Sequence, residues 1–272
     1  MTNHSRRTLL RGVTAATVGA LGSRLMAPSV ARAQGAALGD SVKALVFDVF
    51  GTVVDWRNGV AREARTILSP LGHSLDWLAF ADAWRAQYQP GMDEVRTGKI
   101  PFVKLDIIHR RMLERILPKF GLEKVDAKVL DELNLAWHRL DAWQDVGPGF
   151  TRLRKRFMMA PCSNGNISLM ASIARRNDFP WDAILGSEIA GDYKPKPRVY
   201  LRAAEAFDCE PHECMMVAAH SNDLAAAAAT GLKTGHIARP NEKGPGKGET
   251  KPTVPVDIAA ADIVALAEAL GA

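Results

Sequence analysis

The sequence predicts an α/β protein with a doubly wound parallel sheet and an inserted helical unit. Short, strongly apolar runs such as Val42–Phe47 and Met215–Ala219 are typical of strands buried on both faces of a parallel sheet. Amphipathic segments alternate with these runs, as expected for βαβ units. Between residues 76 and 140, in contrast, helical periodicity dominates and strand signals are weak. A chain of 272 residues is long enough for a core domain with a smaller insert.

The elements before residue 140 comprise one strand followed by helices. The strand is Val42–Phe47, and Asn58–Leu68 has apolar residues at helical spacing. Glycine and proline then separate three further helical segments: Trp77–Tyr88, Phe102–Phe120 and Ala127–Leu140. This pattern predicts a helical cap at residues 57–140, inserted into an α/β core that comprises residues 40–56 and 141–272.

The elements after residue 140 alternate between strands and helices. The predicted strands are Phe157–Cys162, Ala183–Leu185, Met215–Ala219 and Lys233–Ala238. The predicted helices are Ile167–Asn177, Pro197–Ala206 and an alanine-rich segment that Gly231 ends. Residues 240–255 are rich in Gly, Pro and Lys and predict a loop, and Asp257–Leu270 predicts an amphipathic closing helix.

The first 33 residues have the composition of a targeting segment. Ser5-Arg6-Arg7 begins a stretch similar to a twin-arginine motif, residues 12–22 are small and apolar, and residues 31–33 form a small-x-small cleavage site. The apolar stretch is too short to span a bilayer. These features predict a twin-arginine-type signal peptide at residues 1–33 and a periplasmic protein. The alternative is a basic N-terminus without an export function.

The net charge of +5 belongs to this N-terminal segment. Residues 1–33 contain five arginines and no acidic residue, so the rest of the chain has thirty basic and thirty acidic residues. A neutral remainder argues against a nucleic-acid partner. The three cysteines have neither zinc-ligand spacing nor an even count, and we assign them no disulfide and no catalytic role.

Polar side chains cluster at four places where strands are predicted to end. These are Asp48, Ser163-Asn164, Lys194 and His220–Asp223. Parallel strands bring their carboxyl ends to one edge of a sheet, where α/β proteins bind ligands. We therefore expect these residues, although distant in sequence, to form one site.

Several motifs in order along the chain make the site more specific. They are Phe47–Thr52, Trp84-Arg85, Ser163–Gly165, Tyr193–Tyr200 and Met216–Leu224. Together they resemble the type II haloacid dehalogenases, or L-2-haloacid dehalogenases, of the haloacid dehalogenase (HAD) superfamily, from residue 42 to about 240. The resemblance implies a HAD-like, Rossmann-like core with a helical cap. It also implies hydrolysis of short 2-haloacids to 2-hydroxyacids through an aspartyl ester, with water as the second substrate and without a cofactor. Members of that family are often dimers, which suggests a homodimer by analogy.

The resemblance assigns the catalytic roles to four residues. Asp48 is the nucleophile that forms the ester, and Thr52 orients it. Lys194 keeps Asp48 ionised, because an opposite charge nearby lowers the pKa of a carboxylate. Asp223 positions or activates the hydrolytic water. The alternatives from the residues alone are a solvated lysine at position 194 and a helix N-cap at Asp223.

The resemblance also implies residues that bind the substrate and the halide. Ser163 corresponds to the substrate-carboxylate site, and Arg85 and Asn164 to the halide-binding pair. Phe50, Tyr200 and His220 are expected to line the same pocket. The alternatives are an exposed arginine at 85, a plain turn at Ser163-Asn164, a core tyrosine at 200 and a structural histidine at 220.

Two positions depart from the pattern of the metal-dependent HAD phosphatases. Phe50 stands where the phosphatases have a second aspartate, and Ala219 stands where they have a metal ligand. The loss of two oxygen donors disfavours Mg²⁺ and predicts that there is no metal site. A HAD-type phosphatase and a catalytically silent protein that binds small carboxylates remain the alternatives. His220 replaces the asparagine usual in the dehalogenases, and a donor there is a hypothesis for accepting fluoride as the leaving group.

Overall fold

The structure is a computed structural model that describes residues 35–272. Six parallel strands form one sheet in the order β3-β2-β1-β4-β5-β6. The strands are β1 (Ala44–Phe47), β2 (Met158–Ser163), β3 (Leu185–Gly186), β4 (Cys214–Ala218), β5 (Lys233–Ile237) and β6 (Ile258–Ala260). The predicted signal peptide lies outside the described residues. Within residues 35–272, no helix has the length and apolarity needed to cross a membrane.

The α-helices flank this sheet and fill the long connection between β1 and β2. The helices before β2 are Trp56–Leu68, Trp77–Ala86, Tyr88–Arg96, Leu105–Ile116, Ala127–Asn134 and Val146–Leu153. Those after β2 are Ile167–Asn177, Ser187–Ala190, Pro197–Glu205, Ser221–Ala228 and Ile263–Ala269. The parallel sheet with flanking helices confirms the predicted fold class. The division of the chain into a core and a cap at residues 57–140 stays a prediction.

The strand order places a crevice beside β1. β1 pairs with β2 on one side and with β4 on the other. The chain therefore places β2 and β3 on one side of β1 and then crosses to the other side for β4, β5 and β6. In open α/β sheets ligands bind at such a switch point, beyond the carboxyl ends of the strands. Asp48 follows β1 directly, and Ala219 and His220 follow β4.

Alternation along the strands builds one hydrophobic core on each face of the sheet. In β1, Leu45 and Phe47 pack into the larger core, and Ala44 and Val46 pack into the smaller one. All four side chains are fully buried. This burial on both faces explains why the strand is a continuous apolar run rather than an alternating one. It also fixes the register that delivers Asp48 to the crevice.

Three elements differ from the sequence prediction. Tyr88–Arg96 and Val146–Leu153 are helices, although Pro90 and Pro148 with neighbouring glycines indicated breaks. Each proline is the third residue of its helix, where no intrahelical N–H bond is required. Residues 258–260 form edge strand β6, so the closing helix begins at Ile263 rather than at residue 257.

Candidate active site

Asp48 receives hydrogen bonds at both oxygens of its buried carboxylate. Its backbone N–H donates to the carbonyl of Val217, so β1 and β4 stay paired up to the site. Nζ of Lys194 donates to Oδ1 at 2.8 Å. Oδ2 accepts from Oγ1 of Thr52 at 2.8 Å and lies 3.0 Å from Nδ1 of His220. The structure therefore places all four side chains together, as predicted for a site at this edge.

These neighbours keep Asp48 ionised and oriented. Burial alone would raise its pKa, but the charge of Lys194 and the hydrogen bond from His220 hold the pKa well below its usual range. The oxygen of Thr52 accepts the backbone N–H of Ala219 at 2.8 Å, which directs the hydroxyl proton toward Asp48. An ionised carboxylate held in one orientation can act as a nucleophile.

Lys194 connects the two acids of the site. Its Nζ lies 2.8 Å from Oδ1 of Asp48 and 2.5 Å from Oδ2 of Asp223, and only 7% of the residue is exposed. Burial would lower the pKa of Lys194, but the charges of Asp223 and Asp48 raise it above its ordinary value. The alternative of a solvated lysine is therefore wrong.

Asp223 is held by two donors and is not a helix N-cap. It is the third residue of the helix Ser221–Ala228, and His220 occupies the N-cap position. Oδ1 of Asp223 accepts from the hydroxyl of Tyr200 at 2.6 Å, and Oδ2 accepts from Lys194. Burial and the charge of Asp223 raise the pKa of Tyr200, so its hydroxyl remains a donor. Tyr200 is thus both fully buried and part of the site.

His220 is bound by a carboxylate on each side of its ring. Nδ1 lies 3.0 Å from Oδ2 of Asp48, and Nε2 lies 3.2 Å from Oε2 of Glu242. Burial would lower the pKa of His220, but the hydrogen bonds to Asp48 and Glu242 raise it to about 10. Both ring nitrogens then carry protons, and both donate to carboxylates. The geometry thus leaves His220 no free N–H for a leaving halide, contrary to the sequence hypothesis.

Sequence reasoning missed Glu242. The residue lies in the loop at 240–255, where glycine, proline and lysine give no periodic pattern, and it is only 2% exposed. Its Oε1 accepts from Nε1 of Trp56 at 3.0 Å. Gly51, at φ 88°, packs directly against the Glu242 carboxylate, where a Cβ atom would collide with it. The sequence contains no signal for the role of Glu242, because that role depends on contacts with residues that are distant along the chain.

Arg239 anchors the same loop to the turn that carries Thr52. Nε of Arg239 donates to the backbone oxygen of Thr52 at 2.8 Å. Its two Nη atoms bind both oxygens of Asp145 at 2.8 Å, a bidentate pair. Arg239 is 7% exposed, so these contacts are largely shielded from water. The start of the loop is thereby fixed relative to the nucleophile.

A cavity of about 340 Å³ opens over these residues. Its lining includes Phe50, Asn164, Pro195, Tyr200, His220 and Asn222. It also includes four permanent cations and three carboxylates: Arg85, Arg96, Lys194 and Lys243, and Asp48, Asp223 and Glu242. With His220 protonated, the wall has a net positive charge. Such a wall attracts a small anion.

Arg85 lines this cavity, and its guanidinium is only partly engaged by the rest of the protein. Its guanidinium lies over the ring of Tyr88, with Cζ 3.8 Å from the ring centroid, and 5.8 Å from the centroid of Phe50. Nη1 of Arg85 is buried and has no hydrogen-bond partner within residues 35–272. Buried donors are rarely left unpaired, because each costs about 1–3 kcal/mol. Arg85 is half-buried and lines the cavity, so the alternative of an exposed surface arginine does not apply.

Asn164 and Ser163 differ in their access to the cavity. Asn164 lines it, and its Oδ1 accepts from Oγ of Ser187 at 2.8 Å and from the backbone N–H of Lys194 at 2.9 Å. Its amide nitrogen lies 3.3 Å from Sδ of Met92. Ser163 is fully buried and does not line the cavity, and its Oγ accepts the backbone N–H of Gly165 at 3.1 Å. Ser163 thus supports the turn that presents Asn164.

The residues at the site do not fit a magnesium ion. The acids that would bind one, Asp48 and Asp223, both bind the ammonium group of Lys194, and a second cation between them would be repelled. Phe50 and Ala219 supply no further oxygen donor. Among residues 35–272 there is no cluster of three His, Cys, Asp or Glu side chains suited to a metal.

Comparison with known proteins shows which family this chain resembles. The model of the haloacid dehalogenase-like hydrolases matches residues 42–231. The (S)-2-haloacid dehalogenase 1 of Pseudomonas sp. (strain CBS-3) is 30% identical over 207 residues, which are 75% of this chain and 87% of the relative. The (S)-2-haloacid dehalogenase 4A of Burkholderia cepacia is also 30% identical, over 74% of this chain and 84% of the relative.

Similar solved structures extend the agreement to three dimensions. The crystal structure of a defluorinating L-2-haloacid dehalogenase superimposes with a TM-score of 0.83 and 46% identity, over 85% of this chain and 96% of that one. These values support the HAD-like fold predicted from the sequence. Because the family model matches more than half of the residues, this chain belongs to the family of haloacid dehalogenase-like hydrolases.

Proposed function

We propose that the protein hydrolyses short 2-haloacids to 2-hydroxyacids through an ester of Asp48, without a metal ion. The observation that carries the proposal is the environment of Asp48. It is ionised, buried, and held by Lys194, Thr52 and His220 beside a cavity whose wall is positively charged. The relatives named as (S)-2-haloacid dehalogenases support the same reaction.

The first step is a displacement at carbon. A carboxylate oxygen of Asp48 attacks C2 of the haloacid, a C–O bond forms, and the C–halogen bond breaks with its electron pair going to the halide. The guanidinium of Arg85 can stabilise this developing charge, and Asn164 lies in the same wall. Phe50 supplies an apolar surface in place of the phosphatase acid and offers no proton to a leaving group.

The second step is hydrolysis of the ester. Water attacks Cγ of Asp48, and Asp223 accepts a proton from it. The bond from Cγ to the bridging ester oxygen, which came from Asp48, then breaks. That oxygen leaves on C2 as the alkoxide of the product and takes up a proton, and the oxygen of the water replaces it in the Asp48 carboxylate. The 2-hydroxyacid leaves, the Asp48 carboxylate is regenerated, and one proton per turnover goes to solvent. Tyr200 and Lys194 hold Asp223 in place for this role.

The proposal includes fluoride among the halides that leave. One structure similar at 46% identity is that of a defluorinating enzyme. Fluoride is the strongest hydrogen-bond acceptor among the halides, and the guanidinium of Arg85 is a charged donor in the wall, with one nitrogen that has no partner within residues 35–272. We therefore assign its stabilisation to Arg85 rather than to His220.

A phosphatase is the less favoured alternative. It requires an acid to protonate the leaving alcohol and a metal ion to bind the phosphoryl group, and Phe50 and Ala219 occupy the positions concerned. A silent protein that binds small carboxylates would not need a nucleophile held ionised next to Asp223.

Halide release tests the proposed function directly. Chloroacetate and L-2-chloropropionate are incubated with the protein beginning near Gln34, with EDTA present, and Asp48→Asn is the control. Release that survives EDTA and is lost in the variant supports the proposal. No release together with Mg²⁺-dependent hydrolysis of a phosphate ester would establish the phosphatase instead. Binding of the acids without turnover of either substrate would favour the silent protein.

The location and the assembly of the protein are further proposals. The paired arginines near the N-terminus support export to the periplasm by the twin-arginine route. Cell fractionation tests this, and replacement of Arg6 and Arg7 by lysine is expected to retain the protein in the cytoplasm. A homodimer is proposed by analogy with the family, and the mass of the protein in solution tests it.

A further inference from the structure

Glu242 contacts His220, and His220 contacts the nucleophile Asp48. Glu242 itself does not contact Asp48. Its carboxylate accepts from Trp56 at 3.0 Å and from His220 at 3.2 Å, and the residue is 2% exposed. Burial would raise its pKa, but the hydrogen bond from His220 lowers it, so Glu242 is a buried anion. A buried anion is costly unless it is paired, and the pairing here is specific.

The loop that carries Glu242 is built to hold this geometry. The backbone N–H of Arg239 donates a hydrogen bond to the carbonyl oxygen of Glu249 at 2.8 Å. The backbone N–H of Gly248 donates to the carbonyl oxygen of Pro240 at 2.9 Å. Glu249 accepts from the N–H and the hydroxyl of Ser221, the residue after His220. Two carboxylates of one loop therefore contact two successive residues at the end of β4, but only Glu242 contacts the imidazole.

The two oxygens of Asp48 have unequal surroundings. Oδ2 accepts from Thr52 and from His220, so both of its lone pairs are engaged. Among residues 35–272, Oδ1 accepts only from Lys194, which leaves one lone pair for attack on carbon. An ester formed through Oδ1 keeps Oδ2 as its carbonyl oxygen, and two donors already point at that atom.

We propose that Thr52 and His220 form the oxyanion site for hydrolysis of the Asp48 ester, and that Glu242 is a positioning residue that keeps His220 doubly protonated and aimed at Oδ2. This inference rests on the proposed function and extends it to the second step. When water attacks Cγ, the electron pair of the C=O bond moves to Oδ2, and a cationic donor there stabilises the resulting charge. The pair returns when the bond from Cγ to Oδ1 breaks, and no further reactant is needed.

The charged groups around His220 favour an imidazole ring that stays protonated at both nitrogens. Asp48 at the end of β1 and Glu242 in the loop face it with negative charge. Asp223 lies on the helix that His220 caps, and Lys243 lies 3.8 Å from the Glu242 carboxylate. His236 on β5 is the other titratable neighbour, and burial and the charge of His220 both lower its pKa. The two acids in direct contact dominate, in agreement with a pKa of His220 near 10.

The decisive measurement is the protonation state of His220, followed by NMR of the imidazole nitrogens as a function of pH. In the unaltered protein His220 is expected to stay doubly protonated to pH 9. Glu242→Gln removes one of the two charges that hold the proton, so the titration should move toward the ordinary histidine value of about 6.5. Glu249→Gln changes an acid of the same loop that does not contact the ring, and it should leave the titration in place.

Kinetics then test the consequence for the second step. In Glu242→Gln, kcat is expected to fall by about 10-fold to 100-fold, which is less than or equal to the loss from removing a whole oxyanion donor. The Asp48 ester should accumulate in rapid-quench experiments, and the loss of kcat at high pH should begin several pH units lower than in the unaltered protein. KM should fall together with kcat, so that kcat/KM changes little, because the first step is unaffected and only hydrolysis of the ester is slowed.

The possible outcomes separate this inference from the proposed function. A His220 that loses its proton below pH 8 in the unaltered protein, or an equal shift in Glu242→Gln and Glu249→Gln, would overturn the role of Glu242. The NMR result does not depend on turnover and is obtained even if Glu242→Gln is unstable, because the unaltered protein supplies the first test. Absence of halide release from every haloacid would instead reject the proposed function.

Discussion

The hydroxyl of Tyr200 donates a 2.6 Å hydrogen bond to Oδ1 of Asp223, and both residues are buried. Lys194 binds the other oxygen of the same carboxylate. The orientation of Asp223 is therefore fixed from two sides, by a neutral donor and by a cation.

Tyr200→Phe should lower kcat without unfolding the protein. The ring keeps its packing, but Oδ1 of Asp223 loses its donor, and a hydrogen bond to a charged group contributes about 1.5–3 kcal/mol. That range corresponds to a loss of about 10-fold to 160-fold if the contribution is made mainly in the transition state. Steady-state halide release and a thermal melt measure the two effects. An unchanged kcat would mean that Tyr200 serves only the core.

Arg85→Lys should reduce fluoride release more than chloride release. The lysine side chain is shorter and lacks the planar donor pattern of a guanidinium, so the donors that Arg85 presents in the cavity wall are lost. Removal of one donor to a developing charge costs about 10²-fold to 10³-fold in kcat. Fluoroacetate and chloroacetate are compared in the same variant, so that each serves as the control for the other. Equal losses for both acids would place Arg85 away from the leaving group.

Gly51→Ala should impair both stability and activity, and Gly72→Ala should impair stability alone. Both glycines have φ near 87°, where a side chain costs roughly 1–2 kcal/mol. A Cβ atom at Gly51 would collide with the Glu242 carboxylate, whereas a Cβ atom at Gly72 would have no neighbour within 4 Å in the described part of the chain. Chemical denaturation and halide release are measured for each variant. Equal activity in the two variants would contradict the packing of Glu242 against this turn.

His109→Phe should make the protein more resistant to acid. His109 is fully buried against Trp137, and burial lowers its pKa to about 3. Between that value and the ordinary pKa of about 6.5 the unfolded chain binds a proton that the folded chain does not, so stability falls as pH decreases through this window.

The measurement is the denaturation midpoint at pH 7 and at pH 4.5. Phenylalanine cannot titrate, and neither ring nitrogen of His109 has a partner within residues 35–272, so no hydrogen bond is lost. The decrease between the two pH values should become smaller in His109→Phe. The exposed His212→Asn serves as the control and should keep the full decrease. An equal decrease in both variants would show that other groups cause the acid sensitivity.

The sequence predicted the parts of the fold that a strong local pattern determines. β1 and β4 are continuous apolar runs because both faces of the sheet are covered, and their ends deliver Asp48 and His220. β6 was missed because its three residues lie at the edge of the sheet and are only partly buried or exposed. The helix Tyr88–Arg96 was missed because Pro90 suggests a break, although the first turn of a helix tolerates proline.

The same limit applies to the candidate site. Asp48, Thr52, Lys194 and Asp223 lie in recognisable motifs, and the structure brings all of them together. Glu242 lies in a segment with no periodicity, and its role depends on contacts with Trp56 and His220, both more than twenty residues away. Such a pairing is a property of the folded chain, which explains why reading residues in order did not identify it.

The position of the Glu242 loop bears on how relatives of this protein can diverge. The match to the family model covers residues 42–231, so the acid that contacts His220 lies outside the matched segment. Two members with equally good matches over that segment can therefore differ in the charge beside the nucleophile. If Glu242 has the role proposed above, exchange of the loop at residues 240–255 would shift the pH range of activity while every motif residue stays the same. Evolution can in this way adapt the enzyme to a new habitat without altering its catalytic core.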